Sequence, residues 1–136
     1  MGRKQAREGA MQLLFQMSSN EDFTRETLQT FLENFEYDKG ESDYIRTVVE
    51  GVMDNREGID QSIKDNLQGW SLERIARVDL ATLRLAIFEI QFMEDIPVEV
   101  SINEAIEIAK KFSTDDSYKY VNGVLGGFVR SLNKDE

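Results

Sequence analysis

The chain has 136 residues, a formal net charge of −10, 40% hydrophobic residues, and neither cysteine nor histidine. That length suits one domain, residues 1–136, with its own core, and the missing side chains exclude disulfides, thiol nucleophiles, imidazole bases and the usual zinc ligand sets. The longest uncharged run, Gly9 to Asn20, has 12 residues, against the roughly 20 that a membrane-spanning helix needs; with no signal-peptide pattern at the start, the expectation is a soluble cytoplasmic domain.

The charge is unevenly spread. Residues 1–18 carry a net +2, residues 19–60 a net −8, residues 61–100 a net −3 and residues 101–136 a net −1. Salt screens charges beyond about 8 Å, so the local field decides whether phosphate binds. Overall acidity therefore leaves room for a basic site at either end of the chain.

The dominant hydrophobic period is 3.6 throughout. In the first segment Ala6, Ala10, Leu13, Leu14 and Met17 form one helical stripe, with Arg3 and Arg7 at its edge and Lys4, Met11 and Phe15 in the neighbouring row. A second helix fits Arg25 to Phe35 with Thr24 as its cap. A third runs from about Ser42 to Leu67, with Gly51 and Gly58 weakening its continuity. Gly69 then breaks the chain, and Ser71 to Arg74 reads as a short turn. Asp79 is placed to cap a fourth helix through Leu80, Leu83, Ile87 and Met93, which is apolar around most of its circumference and so belongs at the centre of a bundle. Pro97 ends it and can open the next helix, in which Ser101-Ile102-Asn103-Glu104 reads as a capping box. The last helix starts near Thr114 or Asp115 and runs to Leu132. The fold class is all-α, with six or seven helices around one core.

No nucleotide-binding, zinc-protease or serine-hydrolase signature is present. The stretch from Asp54 to Asp65 resembles a calcium loop only superficially, because Arg56 stands where a ligand is required. The abundant carboxylates fall on expected solvent faces, so neither an enzyme nor a metal or cofactor site is expected. Gly123 and Gly127, four apart, cost a helix about 1 kcal/mol each relative to Ala; close helix packing and close approach of an RNA or partner backbone both account for them. Arg3, Lys4 and Arg7 oppose the dipole at a helix N-terminus, a placement that phosphates would offset. Between Ser113 and Asn122, Lys119 is interleaved with Tyr118 and Tyr120, and Lys110 and Lys111 lie just upstream. Basic residues among aromatics suit single-stranded RNA, while core packing of one of the two tyrosines is equally open.

The segment Arg7-Glu8-Gly9-Ala10-Met11-Gln12-Leu13-Leu14-Phe15 resembles the opening motif of the NusB family of transcription antitermination factors. So do Trp70-Ser71-Leu72-Glu73-Arg74, then Asp79 with Leu83-Arg84-Leu85-Ala86-Ile87-Phe88-Glu89. Ile96-Pro97, Ile102-Asn103-Glu104-Ala105-Ile106-Glu107-Ile108-Ala109-Lys110 and Tyr120-Val121-Asn122-Gly123-Val124-Leu125 follow in the same order. The resemblance spans essentially the whole chain. It implies two packed three-helix units and binding to the boxA element of nascent RNA together with NusE, a small-subunit ribosomal protein, within the RNA polymerase antitermination complex, notably on ribosomal RNA operons. It places Arg3, Lys4 and Arg7 in an arginine-rich RNA-binding motif, Asp116, Lys119 and Tyr120 in a second RNA-facing segment, and Asp79 at the NusE interface. Monomer and homodimer both fit it. Three positions depart from the family pattern: Gln5 stands where a third consecutive base can occur, Leu80 replaces a residue often basic, and Ser113 one often glycine.

Two other readings compete with this one. The RNA-binding domain of an RNA cytosine methyltransferase shares the fold, but no methyl-donor domain follows residue 136. A helical module that binds only protein would use the acidic face of residues 19–60.

Overall fold

The computed structural model describes residues 2–67 and 71–134; Gly69, expected as a break, and Trp70 of the family-like motif lie outside them. The described chain runs α1 (Arg3–Asn20), α2 (Arg25–Asn34), α3 (Lys39–Lys64), a 3-10 turn (Leu72–Arg74), α4 (Arg77–Phe92), α5 (Val98–Phe112) and α6 (Ser117–Lys134). These form two three-helix units, α1–α3 and α4–α6, and α4 is the shared element, packing on α1, α3, α5 and α6. No helix among the described residues is long and apolar enough to cross a membrane.

Sequence patterning explains most of this. Every residue from Asp79 to Glu89 is buried, so α4 is enclosed on all sides, as its apolar circumference implies. Burial of Leu83, Leu85 and Ile87, at most 2% exposed, contributes about 1.5–3 kcal/mol each. Thr24 caps α2, its side chain accepting from the Thr27 amide at 3.2 Å. Helix α3 starts earlier than its apolar periodicity indicates because Asp38 and Glu41 form a reciprocal capping box: the Glu41 amide donates to Asp38 Oδ1 at 2.8 Å and the Asp38 amide to Glu41 Oε1 at 2.9 Å. The interruption expected around the glycines falls at Asn55, whose φ of −118° and ψ of 16° are non-helical. Gly51 itself serves packing, since a Cβ there would strike the Phe88 ring of α4.

Two expected caps do not form. Helix α4 opens at Arg77 with Ala76 at the N-cap, leaving Asp79 inside the first turn. Helix α5 opens at Val98 with Pro97 at the N-cap, where the ring has already set φ and no amide needs a partner. Ser101 therefore lies within the helix, buried, and its hydroxyl donates to Glu89 Oε1 at 2.8 Å.

Glu89 is the centre of the structure. It is fully buried in α4 and also accepts from Arg7 Nε at 2.8 Å, from Arg7 Nη2 at 3.3 Å, and from the Tyr44 hydroxyl. Arg7, expected at an exposed stripe edge, is only 4% exposed. The reason is electrostatic: an apolar helix that carries a carboxylate at its buried face needs a counter-charge, and Arg7 sits beside Ala6 and Ala10 on the face of α1 that meets it. Burial acts to lower the guanidinium's pKa, but the Glu89 hydrogen bond and charge hold it above its ordinary value. Removing one partner of a buried pair strands the other charge, at a cost of about 3–5 kcal/mol. Arg7→Ala should therefore lower the unfolding free energy by about that amount in urea denaturation, whereas a change below 1 kcal/mol would show that Glu89 does not depend on it.

Candidate nucleic-acid interface

Arg3 and Lys4 stand exposed on the first turn of α1, where no acidic residue offsets them. Neither makes a salt bridge among the described residues. The turn is nevertheless tied down: the Gly2 amide donates to Glu41 Oε2 at 2.9 Å, and the Arg3 guanidinium lies 4.6 Å from the centroid of the Tyr44 ring. A cation over an aromatic face is attracted by its quadrupole, so the buried Tyr44 positions Arg3 from below. Arg7, by contrast, points into the core and offers no surface charge.

The basic residues of the second segment connect to this turn through α5. Lys111 Nζ donates to Glu8 Oε1 at 2.9 Å, joining the end of α5 to α1. Lys110 and Lys119 place their ammonium groups 5.0 and 5.9 Å from the centroid of the Tyr118 ring. Arg3, Lys4, Lys111, Lys110 and Lys119, all exposed, thus belong to a linked basic and aromatic face built from α1, α5 and α6. Neither tyrosine is enclosed in the core; Tyr118 and Tyr120 are both half-buried against it. Lys110 and Lys111, legible in the sequence as cations just upstream of the aromatic stretch, join this face, although lysines in a helix's last turn also complement its dipole.

Asp79 occupies a different setting from the exposed helix start expected of it. It is 5% exposed, and its Oδ2 accepts from Ser117 Oγ at 2.9 Å. Ser117 Oγ in turn lies 2.8 Å from Ser113 Oγ and 2.9 Å from Thr114 Oγ1, so a chain of hydroxyls ties the α5–α6 turn to α4. This brings Asp79 beside Tyr120 and the exposed Asp116 around one cavity of about 240 Å³, with Arg74 at its edge. Burial first, and the Asp79 charge second, raise the Tyr120 hydroxyl's pKa. The two expected sites, one for RNA and one for a protein partner, are therefore physically contiguous. The glycines of α6 divide: a Cβ on Gly127 would strike Asn66 at the end of α3, whereas Gly123 faces open space. Close packing accounts for the first and not for the second.

An all-α bundle with a basic and aromatic face along one side is the class of protein that this geometry defines. The family model for the NusB family matches residues 4–130. Transcription antitermination protein NusB of Clostridium novyi (strain NT) is 47% identical over 133 residues, covering 96% of this chain and 100% of the relative. The protein of the same name from Acetivibrio thermocellus is 44% identical, with 96% and 90% covered. Among solved structures, NusB of T. maritima superposes with a TM-score of 0.86 at 37% identity, covering 96% of this chain and 93% of that one. A structure of NusB and NusE in complex with double-stranded RNA shares the fold with a TM-score of 0.84 at 24% identity, over 95% and 96% of the two chains. The chain belongs to the NusB family of transcription antitermination factors.

The hydroxyl chain makes a stability prediction. Ser117→Ala removes the donor to a buried carboxylate, and such an unpaired group costs about 1–3 kcal/mol or somewhat more when charged. Chemical denaturation should show a loss in that range; an unchanged midpoint would mean that the Asp79–Ser117 bond contributes nothing.

Proposed function

We propose that this chain binds the boxA element of nascent RNA together with NusE and acts without catalysis, as a component of the cytoplasmic RNA polymerase antitermination complex on ribosomal RNA operons. The observation that carries the reading is the set of exposed cations made by Arg3 and Lys4 on the first turn of α1 and by Lys110 and Lys119 around the Tyr118 ring, with Lys111 joining α5 to α1. It lies outside the acid-rich segment of residues 19–60, and membership of the NusB family supports it. Arg3, Lys4 and Lys119 are the phosphate contacts. Tyr120 and Asp116 supply the aromatic and polar groups beside them. Arg7 serves the same site indirectly, by holding α1 against Glu89 so that Arg3 and Lys4 project from a fixed helix. NusE docks beside the start of α4, where the resemblance places Asp79, so RNA and protein partner meet next to the cavity.

Phosphate contacts release counterions, and for single strands the slope of log K against log salt is about −0.7 per contact. Lys4→Ala and Lys119→Ala, both at exposed positions, should each weaken boxA RNA binding and flatten that slope by about 0.7, with unchanged helix content. Fluorescence anisotropy at several salt concentrations measures both quantities. An unaltered slope in both variants would remove these residues from the interface. Saturating NusE should raise the affinity of the wild-type chain for boxA RNA; equal affinity with and without it would contradict joint binding.

A further inference from the structure

Residues 19–60, the acid-rich segment that the RNA reading leaves unused, carry an exposed aromatic surface on α2. Phe35, the residue after that helix, is 52% exposed, the most of any large apolar side chain among the described residues. Its ring centroid lies 4.6 Å from that of Phe31 and 6.4 Å from that of Tyr37. The surface is held in place from below. Phe31 is buried beneath it, Tyr37 sits over Gly9 of α1, where a Cβ would strike its hydroxyl, and the Asp38–Glu41 capping box fixes the chain just beyond. A groove of about 420 Å³ runs beside Phe31 and Phe35. Along it the exposed Gln16, Thr30 and Asn34 offer amide and hydroxyl groups to a main chain.

The charge around this surface decides what covers it. Asp22 and Glu26 line the groove, and Glu33 and Glu36 flank Phe35 in sequence. None of the four forms a salt bridge among the described residues. The cations of this region are engaged elsewhere: Arg25 with Glu50 and Asp54, Arg46 with Glu50 and Gln29, and Lys39 with Asp43. Nucleic acid and anionic lipid are therefore repelled. A second copy of this chain, related by a two-fold axis, would set these acids against themselves. A basic polypeptide fits both features. Its Lys and Arg side chains complement the acids, and an apolar side chain among them covers an aromatic ring that would otherwise stay in water.

We propose that α2 and the turn after it dock a basic segment of a protein partner, which packs one apolar side chain on Phe31 and Phe35 and pairs its Lys and Arg residues with Glu26, Glu33 and Glu36. Helix α2 packs against α1 and α3, whereas Lys110, Lys111 and Lys119 stand on α5 and α6. The docking surface is therefore separate from the basic face, and one chain can hold RNA and this partner together. The proposal stands whether or not the RNA reading does.

The test selects a phage-displayed library of random peptides on the full chain. The expected consensus sets Lys or Arg around one aromatic or branched aliphatic residue. A synthetic peptide of that consensus, titrated by fluorescence anisotropy, should bind Phe35→Ser about tenfold more weakly than wild type. It should bind the double variant Glu33→Gln/Glu36→Gln several-fold more weakly, with a flatter dependence on salt. Circular dichroism checks that each variant is folded, and the double variant carries the test by itself if Phe35→Ser is not. Replacing the peptide's apolar residue by Ala should cost about tenfold against wild type and little against Phe35→Ser. Saturating boxA RNA should leave the peptide's affinity for wild type unchanged. A library that yields no peptide, a consensus that is acidic or uncharged, or equal affinity for wild type and both variants would overturn the proposal. Displacement of the peptide by RNA would give the surface to nucleic acid and overturn it too. So would a wild-type chain that dimerises while Phe35→Ser stays monomeric, since a second copy would then be the occupant.

Discussion

A single carboxylate in the last turn of an apolar helix organises this protein. Glu89 is fully enclosed, and it accepts hydrogen bonds from Arg7 of α1, Tyr44 of α3 and Ser101 of α5. An isolated ionised carboxylate cannot stay in such a place, so the three helices that supply its partners are fixed in rotation and height around α4. Hydrophobic packing brings the helices together, and directional partners around a buried charge add a further constraint on their rotation and height. The two three-helix units meet at α4, and Glu89 joins them, because Arg7 and Tyr44 come from one unit and Ser101 from the other.

The same network shapes the candidate face. Tyr44, whose hydroxyl meets Glu89, presents its ring beneath Arg3 at 4.6 Å, and Arg7 anchors the helix on which Arg3 and Lys4 stand. The α1 cations of the basic face project from a helix that the core already holds, so less ordering entropy would be lost on the proposed binding of phosphate. The acidic segment of residues 19–60 uses part of its charge internally. Arg25 pairs with Glu50 and Asp54 at 3.3 and 3.2 Å, and Asp60 takes both Nε and Nη2 of Arg84 at 2.8 and 2.9 Å. Exposed acids on α2 and α3, among them Glu26, Glu33, Asp43 and Glu57, would repel phosphate, in keeping with the proposed RNA surface on the basic side.

What the sequence made legible follows from the kind of signal each feature carries. Helix existence and the central place of α4 were written in apolar periodicity, and burial of Ala6, Ala10, Leu13, Leu14 and Met17 matches that stripe. The family-like motifs that carry the candidate residues fall on α1, α4, α5 and α6. Periodicity does not report which polar residues turn inward. Arg7 reads as surface on α1 considered alone, and only the acid at Glu89, far along the chain and flanked by apolar residues, signals that a cation must meet it. Asp79 and Ser101 read as caps because an acid or a serine ahead of an apolar run usually is one. Both instead point into the interior and hydrogen-bond across helices. The cavity was not legible at all, since Arg74, Asp79 and Tyr120 come together only through tertiary packing.

Amide chemical-shift mapping tests most directly whether RNA binds, as proposed, on the basic side of the bundle. An isotopically labelled chain titrated with single-stranded boxA RNA should show its largest perturbations at residues 3–8, 74–79 and 110–120. Amides of α2 and of the first half of α3 should stay unmoved. Perturbations centred on α2 and α3, with the ends of α1 and α5 unaffected, would contradict it and return the binding surface to the acidic face.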